Sequence, residues 1–511
     1  MGSEPPVFRK VLIANRGEIA LRVMRACRDL GIPSVAVYSS VDRAAPHVRM
    51  AQEAHEIGPA PASESYLRID RLLDVARKSG AEAIHPGYGF LAENAEFAQA
   101  CEEAGVVFIG PPATAMRAMG DKVSARELMA RAGVPVVPGS AAFRGEPGDA
   151  HAAVEPVGYP LMIKAAAGGG GKGMRVVERP YELERSLERA RSEAKASFGD
   201  ETVYFERFLR RPRHIEVQVL FDREGRGVAI GERECSIQRR HQKLVEETPS
   251  PVVDTDTRAR IGEWALAAAA AVGYVNAGTV EFLRDEDGSF YFMEMNTRLQ
   301  VEHPVTEEVY GIDLVSGQIR VAAGERLPFS QEQLVPRGHA IECRLTAEDP
   351  EHNFLPCPGR IEAVRIPSGP GIRDDSAVAP GYTIPVHYDP MVAKLIAHGA
   401  DRSESIPRMR RALDEYRLEG LTTNIPFLRR LMDHPAFIAG DLHTGFLDQY
   451  GEGLLASEPD GDLDEVALLA AAIHSYRRRV ESALEHGQSQ SATNGSQWLR
   501  LGRMRALRGQ R

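Results

Sequence analysis

Apolar and polar side chains alternate over residues 277–303 and predict a β-hairpin. Its turn falls at Asp287-Gly288, which sets the register so that Glu281 lies opposite Glu294. Facing carboxylates repel each other, so a cation is expected between them. A solvated sheet surface is the alternative, but asparagine and paired glutamates are poor strand formers, which favours a functional role. The other face is apolar and is predicted to be buried, with Val280, Phe282, Phe290 and Phe292.

The polar face of the second strand continues as far as residue 302. Fully extended, the run from 294 to 302 would span about 26 Å, more than one metal site uses, so the strand is predicted to bend into a loop after Thr297. Carboxylate and amide oxygens suit Mg²⁺ or Mn²⁺ shared with substrate phosphates, which predicts phosphoryl chemistry on ATP. The predicted metal ligands are Glu281, Glu294 and Asn296.

Elsewhere the pattern divides the chain into five segments. Residues 1–113 alternate strands and helices and predict an open parallel sheet, although Gly17 alone is too little for a dinucleotide fingerprint. A helical connection, 114–135, leads to a small unit, 136–208, and residues 209–450 then combine strands with helices, the last of them ending near Asp433. Residues 451–511 are predicted as an acidic helix, a polar linker and a basic tail.

Composition limits the classes of function that the chain can have. A chain of 511 residues with 43% hydrophobic and 26% charged residues is that of an ordinary multidomain soluble protein. Its net charge of -10 argues against nucleic-acid binding, and no apolar run is long enough to span a membrane. The five cysteines are scattered and include no Cys-x-x-Cys pair, which suits a reducing cytoplasm and small buried residues.

A glycine run lies between two predicted strands in the small unit. It contains Gly-x-Gly-x-x-Gly, but a strand follows it instead of a helix, and Lys172 is followed by glycine, which excludes a Walker loop. The run therefore predicts a glycine hairpin whose backbone N–H groups can close over phosphates, with a flexible surface hairpin as the alternative. Lys164 on the strand before it and Lys122 at the start of an earlier helix can reach a phosphate, unless they are ordinary surface lysines.

Residues 236–247 gather an amide, a histidine and several cations. A charged loop is the simplest interpretation, but beside an anion site Arg239 and Lys243 would supply counter-charge. The segment from Glu206 to Leu209 is expected to connect two units and to line an adenine pocket.

Together these motifs resemble the biotin carboxylases of the ATP-grasp superfamily. The resemblance covers about residues 8 to 450 and rests on Val11–Ile19, His85–Leu91, Arg213–Gln218, Gln238–Lys243, Glu294–Pro304 and Glu342–Leu345. It implies an α/β and α+β multidomain fold. Its parts would be an N-terminal open parallel sheet, an ATP-grasp fold with a mobile glycine-rich lid, and a C-terminal domain of mixed sheet and helices.

Such enzymes use ATP and bicarbonate to make carboxyphosphate, whose carbon dioxide passes to N1 of biotin. The resemblance implies that Glu302 is the base that deprotonates bicarbonate, that Lys243 and Arg298 hold the anion, and that Arg344 stabilises the biotin anion. Gln300 and Val301 would line the bicarbonate pocket. The implied ATP-binding residues are Lys122, Lys164, Gly168, Gly169, Gly170, Gly171, Met174, Glu206, Leu209, His214, Gln238 and His241. Another ATP-grasp ligase and a non-catalytic ATP-binding scaffold are the alternatives.

Partners are also implied by the resemblance. They are a biotin carboxyl carrier protein or domain, a carboxyltransferase subunit of an acyl-CoA carboxylase, and a second copy of the chain in a homodimer. The chain has no Met-Lys-Met biotinylation signature, so either the native protein continues into a carrier domain or the carrier is a separate polypeptide. The tail resembles the region after the carboxylase in long α-subunits, where residues 498–505 would start a partner-binding segment; a disordered basic tail is the alternative.

Overall fold

The computed structural model describes residues 7–166, 174–455 and 466–479, apart from the side chain of Lys122. Residues 1–455 and 456–511 are separate compact units. In the second unit, residues 466–479 form a helix, within the acidic helix predicted there. The linker and basic tail predicted after it lie outside the described residues, as do Gly168, Gly169, Gly170 and Gly171.

The N-terminal part is the predicted parallel sheet, with strand order β3-β2-β1-β4-β5. All four pairings are parallel, and helices connect the strands. The strands are β1 Val11–Ile13, β2 Ser34–Ser39, β3 Glu53–Gly58, β4 Ala83–His85 and β5 Val107–Phe108. The helices are α1 Gly17–Asp29, α2 Pro46–Met50, α3 Ile69–Ser79 and α4 Ala95–Glu103.

Two helices connect this sheet to a small antiparallel one. They are α5 Ala113–Gly120 and α6 Lys122–Arg131, and the small sheet has the order β7-β6-β8. Its strands are β6 Leu161–Ala165, β7 Arg175–Val177 and β8 Val203–Arg207, covered by α7 Ala150–Val154 and α8 Leu183–Phe198. Because β6 and β7 pair antiparallel on either side of the glycine run, that run connects a hairpin, as predicted.

The largest sheet has the order β13-β12-β9-β10-β11-β14-β19-β18 in the described residues. Its strands are β9 Arg213–Phe221, β10 Gly227–Arg239, β11 Gln242–Thr248, β12 Asn276–Arg284, β13 Phe290–Asn296, β14 His339–Thr346, β18 Ile372–Ser376 and β19 Met391–Gly399. Short strands β15 Glu348–Asp349, β16 Leu355–Pro356, β17 Ala363–Arg365 and β20 Arg417–Glu419 pair beside it. The helices are α9 Thr255–Ala270, α10 His303–Tyr310, α11 Leu314–Ala322, α12 Arg402–Glu415, α13 Ile425–Asp433, α14 Pro435–Ile438 and α15 Phe446–Leu455.

The predicted hairpin is confirmed as β12 and β13. Glu281 and Glu294 are partners in register, and the four predicted apolar residues are buried in one core cluster. Strand β13 ends at Asn296, one residue before the predicted bend, and residues 297–302 form the loop that leads into α10. This loop carries the second half of the polar run, residues 297–302, away from the sheet.

Two predictions about local structure are wrong. Residues 236–247 form a hairpin of β10 and β11, in which Arg240 and His241 make a two-residue turn with φ of 48° and 65°. The polar residues of the two strands resembled a charged loop because the strand face that carries several of them lines a charged interior. Asp433 is also not the end of the last helix before the tail, because α14 and α15 follow. His434 separates α13 from α14, and Pro435 begins α14, since proline ends one helix but can begin the next.

Two further predictions concern the cysteines and membrane-spanning segments. All five cysteines lie in the described residues and are free thiols; four are buried and Cys357 is half-buried. Among the described helices, none combines the length and apolar character needed to cross a bilayer. The domain boundaries stay predictions.

Candidate active site

A row of charged residues crosses four neighbouring strands of the large sheet. In register, Glu294 on β13 faces Glu281 on β12, which faces Glu216 on β9, which faces Arg233 on β10. The predicted carboxylate pair is therefore the outer part of a longer row. Like charges on directly opposite residues of neighbouring strands repel each other, so the row needs cations from other elements.

Lys243, near the start of β11, supplies one such cation. Its Nζ lies 2.5 Å from Glu216, 3.0 Å from Glu281 and 2.7 Å from Glu302. Burial alone would lower the pKa of this lysine, but the three carboxylates hold it well above the usual value. Lys243 is therefore a fixed positive charge, and it is the cation that the structure sets against Glu281.

Glu302, fully buried at the end of the 297–302 loop, lies between two cations. One carboxylate oxygen accepts a hydrogen bond from Lys243 at 2.7 Å, and the other accepts one from Arg344 at 2.9 Å. Burial would raise the pKa of Glu302, but Lys243 and Arg344 hold it well below the usual range. Glu302 is thus an ionised carboxylate.

Arg298 has different neighbours. Its guanidinium donates to Glu93 at 2.8 Å, to Gln300 at 2.9 Å and to Asn296 at 3.2 Å. Glu93 also accepts a hydrogen bond from the backbone N–H of Thr297, so a residue that follows β4 of the N-terminal sheet anchors the 297–302 loop. Glu93 was not predicted from the sequence, although it lies just after the His85–Leu91 motif.

Gln300 and Val301 lie on the same loop. The Gln300 side-chain amide donates to Glu281 at 3.1 Å, and the Val301 carbonyl oxygen accepts from the buried Lys394 at 3.0 Å. Lys394 comes from β19 and was also missed, because no local pattern distinguishes it from the other residues of that strand.

The predicted metal ligands offer oxygen atoms at one end of the row. Asn296 donates its amide N–H to Glu281 at 2.7 Å, and His214 Nε2 lies 3.0 Å from Glu281. Burial would raise the pKa of Glu281, but Lys243 and His214 lower it, so this carboxylate is charged. Two carboxylates in register with an amide beside them fit Mg²⁺ or Mn²⁺. His214, Glu216 and Glu281 also bring possible ligand atoms within 4.8 Å of one another.

The candidate nucleotide-binding residues fall into two groups. Lys164 on β6 and Glu206 on β8 form an ion pair of 2.5 Å, and Arg126 lies 3.4 Å from the same carboxylate. Glu206 thus lies within a strand, and the buried Leu209 follows shortly after it.

The second group lies on the large sheet. Gln238 and His214 are 2.8 Å apart on β10 and β9, whereas His241 lies at the exposed turn beyond them. Met174 is half-buried just before β7, and Lys122 begins α6.

Two further residues of the charged row, Arg233 and Glu216, were also not predicted from the sequence. Arg233 is wholly buried and donates to Glu216 at 2.5 Å, to Gln218 at 2.9 Å and to Thr306 at 3.0 Å. Glu216 lies inside the quoted motif Arg213–Gln218, where alternation with Gln218 could have indicated a polar strand face.

Three family models match almost all of residues 7–449. They describe the biotin carboxylase N-terminal domain at 7–116, the ATP-binding domain of the carbamoyl-phosphate synthase L chain at 121–330, and the biotin carboxylase C-terminal domain at 342–449. The chain belongs to the biotin carboxylase family.

Relatives of biotin carboxylase type match along nearly their whole length. A pyruvate carboxylase subunit of Methanothermobacter thermautotrophicus is 55% identical over 486 residues, which cover 92% of this chain and 99% of that one. The biotin carboxylase of Nostoc sp. is 53% identical over 442 residues, covering 86% and 99%.

A solved structure agrees with this fold. The biotin carboxylase domain dimer of 2-oxoglutarate carboxylase from Hydrogenobacter thermophilus, in complex with MgADP, ADP and bicarbonate, is 47% identical to this chain. It matches with a TM-score of 0.84 and covers 88% of this chain and 99% of its own. The predicted architecture is confirmed: an N-terminal parallel sheet, an ATP-grasp domain and a C-terminal biotin carboxylase domain.

Proposed function

We propose that this protein catalyses the ATP-dependent carboxylation of biotin with bicarbonate. The observation that carries the proposal is the Glu302 carboxylate, buried between Lys243 and Arg344 beside a row of carboxylates. A base for bicarbonate needs a positioned anion close to cations that hold the substrate. Membership in the biotin carboxylase family supports the same reaction.

ATP would bind between the small sheet and the large one. Lys164 would neutralise phosphate charge, and Glu206, Leu209, His214, Gln238 and His241 would contact the rest of the nucleotide, with Lys122, Met174 and the glycine run 168–171 completing the site. Glu281, Glu294 and Asn296 would hold Mg²⁺, which neutralises the phosphate oxygens during transfer. The ion pair between Lys164 and Glu206 supports this assignment, because it brings two of the proposed nucleotide-binding residues together on neighbouring strands.

Bicarbonate would lie beside Lys243 and Arg298, against Gln300 and the Val301 backbone. Glu302 would accept the bicarbonate proton while the bicarbonate oxygen attacks the γ-phosphorus of ATP, which gives carboxyphosphate and ADP. Carboxyphosphate would then break down to carbon dioxide and phosphate. The phosphate would accept the proton of biotin N1, and N1 would capture the carbon dioxide. Arg344 would stabilise the anionic biotin oxygen. The geometry that supports this order is the shared loop, which carries Arg298, Gln300, Val301 and Glu302 together.

The biotin would be presented by a carrier, with a carboxyltransferase partner completing the carboxylase and a homodimer as the working unit. These roles are proposed by analogy with relatives that are named as carboxylase subunits. An acyl-CoA carboxylase is our proposal for the complex, and pyruvate is the competing acceptor. We also propose that the segment after residue 455 contacts one of these partners.

ADP release by the purified protein tests the function. With ATP, Mg²⁺ and bicarbonate present, free biotin should increase ADP release, and omitting bicarbonate should abolish the increase. ATP binding without turnover would indicate a scaffold. Turnover that requires an amine or another acid instead of biotin would indicate a different ATP-grasp ligase.

A further inference from the structure

Two buried carboxylates share the guanidinium of Arg344. Its Nε donates to Glu246 at 2.6 Å, and a terminal nitrogen donates to Glu302 at 2.9 Å. Neither carboxylate is exposed to solvent. Glu246 lies on β11, three residues after Lys243, and has no role in the reaction proposed above.

A third buried carboxylate lies beside this pair. Glu342 on β14 is the register partner of Glu246, and neither of its carboxylate oxygens has a hydrogen-bond partner. Arg344 is two residues further along β14, on the same face. The cationic groups that act on this cluster come from the neighbouring strands and are Arg233 on β10, Lys243 on β11, Arg344 on β14 and Lys394 on β19.

We propose that Glu246 is a positioning residue for the base: by sharing the guanidinium of Arg344 with Glu302, it keeps Glu302 basic enough to accept the bicarbonate proton. The inference rests on the proposed function. Without the Glu246 carboxylate, the guanidinium is free to turn wholly toward Glu302. Glu302 would then be held even more firmly as an anion and would be a weaker base, since proton-transfer rates follow the basicity of the acceptor.

Charge on Glu246 matters for this role. Burial raises its pKa to about 7, although Arg344 opposes the shift. As the pH falls through that value, Glu246 gains a proton and its hold on Arg344 weakens. The wild-type kcat should therefore decline on the acidic side of neutrality, and the wild type at low pH should come to resemble a variant without the carboxylate.

Glu246→Gln and Glu247→Gln form a matched pair for the test. Glu247 is the next residue and is also buried, but it pairs with His339 at 2.8 Å and Arg402 at 2.7 Å on the other face of the sheet. Bicarbonate-dependent ADP release with free biotin is measured from about pH 5.5 to 9. At pH 8, Glu246→Gln should lower kcat by about tenfold or more, leave the KM for ATP within about twofold, and remove the decline near pH 7. Glu247→Gln should keep that decline.

The proposal is overturned if Glu246→Gln retains the wild-type kcat and acidic decline, or if both variants lose activity alike with the same pH profile. Glu246→Asp keeps the charge and should retain the decline with a smaller loss of kcat; absence of the decline in that variant also contradicts the proposal. If Glu246→Gln does not fold, the pH profile of Glu246→Asp tests the proposal instead. Failure of the proposed function looks different, because the wild type itself would then show no biotin-dependent ADP release.

Discussion

The ammonium of Lys243 lies 2.7 Å from a carboxylate oxygen of Glu302, inside the protein. The same ammonium is also bound by Glu216 and Glu281, so one lysine links the proposed metal-binding end of the site to the proposed base. Four charges this close are stable only as a set, because each buried ion depends on its partners.

Replacing Lys243 by Met should therefore destabilise the fold as well as the reaction. Three buried carboxylates would lose their shared cation, and breaking a buried pair costs about 3–5 kcal/mol. Lys243 lowers the pKa of Glu281 and of Glu302, and both pKa values would rise without it, so the loss of stability should be greatest at pH 8 and smaller at pH 5. Denaturant midpoints of variant and wild type at both pH values measure this.

Lys10→Met is the control, because its pair with Glu53 at 2.9 Å is only half-buried and should be worth less than about 1 kcal/mol. Equal losses in the two variants would show that Lys243 has no special role in the interior.

Replacing Glu302 by Gln should lower turnover by about a hundredfold or more, consistent with the loss of a positioned base. The amide keeps the shape of the side chain, so the KM for ATP should change little. Steady-state ADP release and nucleotide binding by calorimetry give the two quantities. If ATP binding is lost as well, Glu302 belongs to the nucleotide or metal site instead.

Removing the carboxylate of Glu281 should weaken the binding of metal-nucleotide. Glu281→Ala deletes one predicted oxygen ligand, so the Mg²⁺ concentration for half-maximal activity should rise by about tenfold or more. Glu286→Ala, in the exposed turn of the same hairpin, should leave it unchanged. An identical Mg²⁺ dependence of Glu281→Ala and the wild type would refute the assignment of the carboxylate pair.

Glu18 should make stability depend on pH. Burial raises its pKa to about 7, although Lys394 at 3.4 Å opposes the shift. A carboxyl whose folded pKa is raised contributes stability that is present below its unfolded pKa, near about 4.3, and is lost as the pH rises through about 7.

Glu18→Gln cannot ionise, so the stability of this variant relative to the wild type should increase from pH 5 to pH 8, by up to about 3 kcal/mol. Denaturant unfolding of both proteins at the two pH values measures the difference. A relative stability that does not change with pH would contradict a buried, titrating Glu18.

Local alternation was enough to predict the hairpin, the pairing of Glu281 with Glu294 and the buried face. Nearer the turn the register differs by one residue from the predicted one, since Phe282 pairs with Phe292, and a register shift between Glu281 and Phe282 restores the predicted pairing. The bend after the strand follows from the strand's length. The alternation of strands and helices over residues 1–113 also predicted the N-terminal parallel sheet. The resemblance supplied the ATP-grasp and C-terminal domains and the candidate base, which periodicity does not reveal.

The rest of the site comes from strands that are distant in the chain. Glu216 binds Arg233, and Lys394 binds the carbonyl oxygen of Val301 on the loop, only because the large sheet brings β9, β10 and β19 together. The hairpin at 236–247 was difficult to predict for a related reason. Several of its polar residues, among them Lys243 and Glu246, point into a charged interior, whereas polar strand faces usually contact water.

The transfer of oxygen from bicarbonate to phosphate tests the central claim most directly. If a bicarbonate oxygen attacks the γ-phosphorus of ATP, that oxygen becomes the bridge of carboxyphosphate and stays on phosphorus when carbon dioxide leaves. With ¹⁸O-labelled bicarbonate and free biotin, mass spectrometry should therefore find one ¹⁸O atom in each phosphate released by the wild type. Phosphate that carries no label would mean that water attacks ATP, and would contradict bicarbonate activation at Glu302.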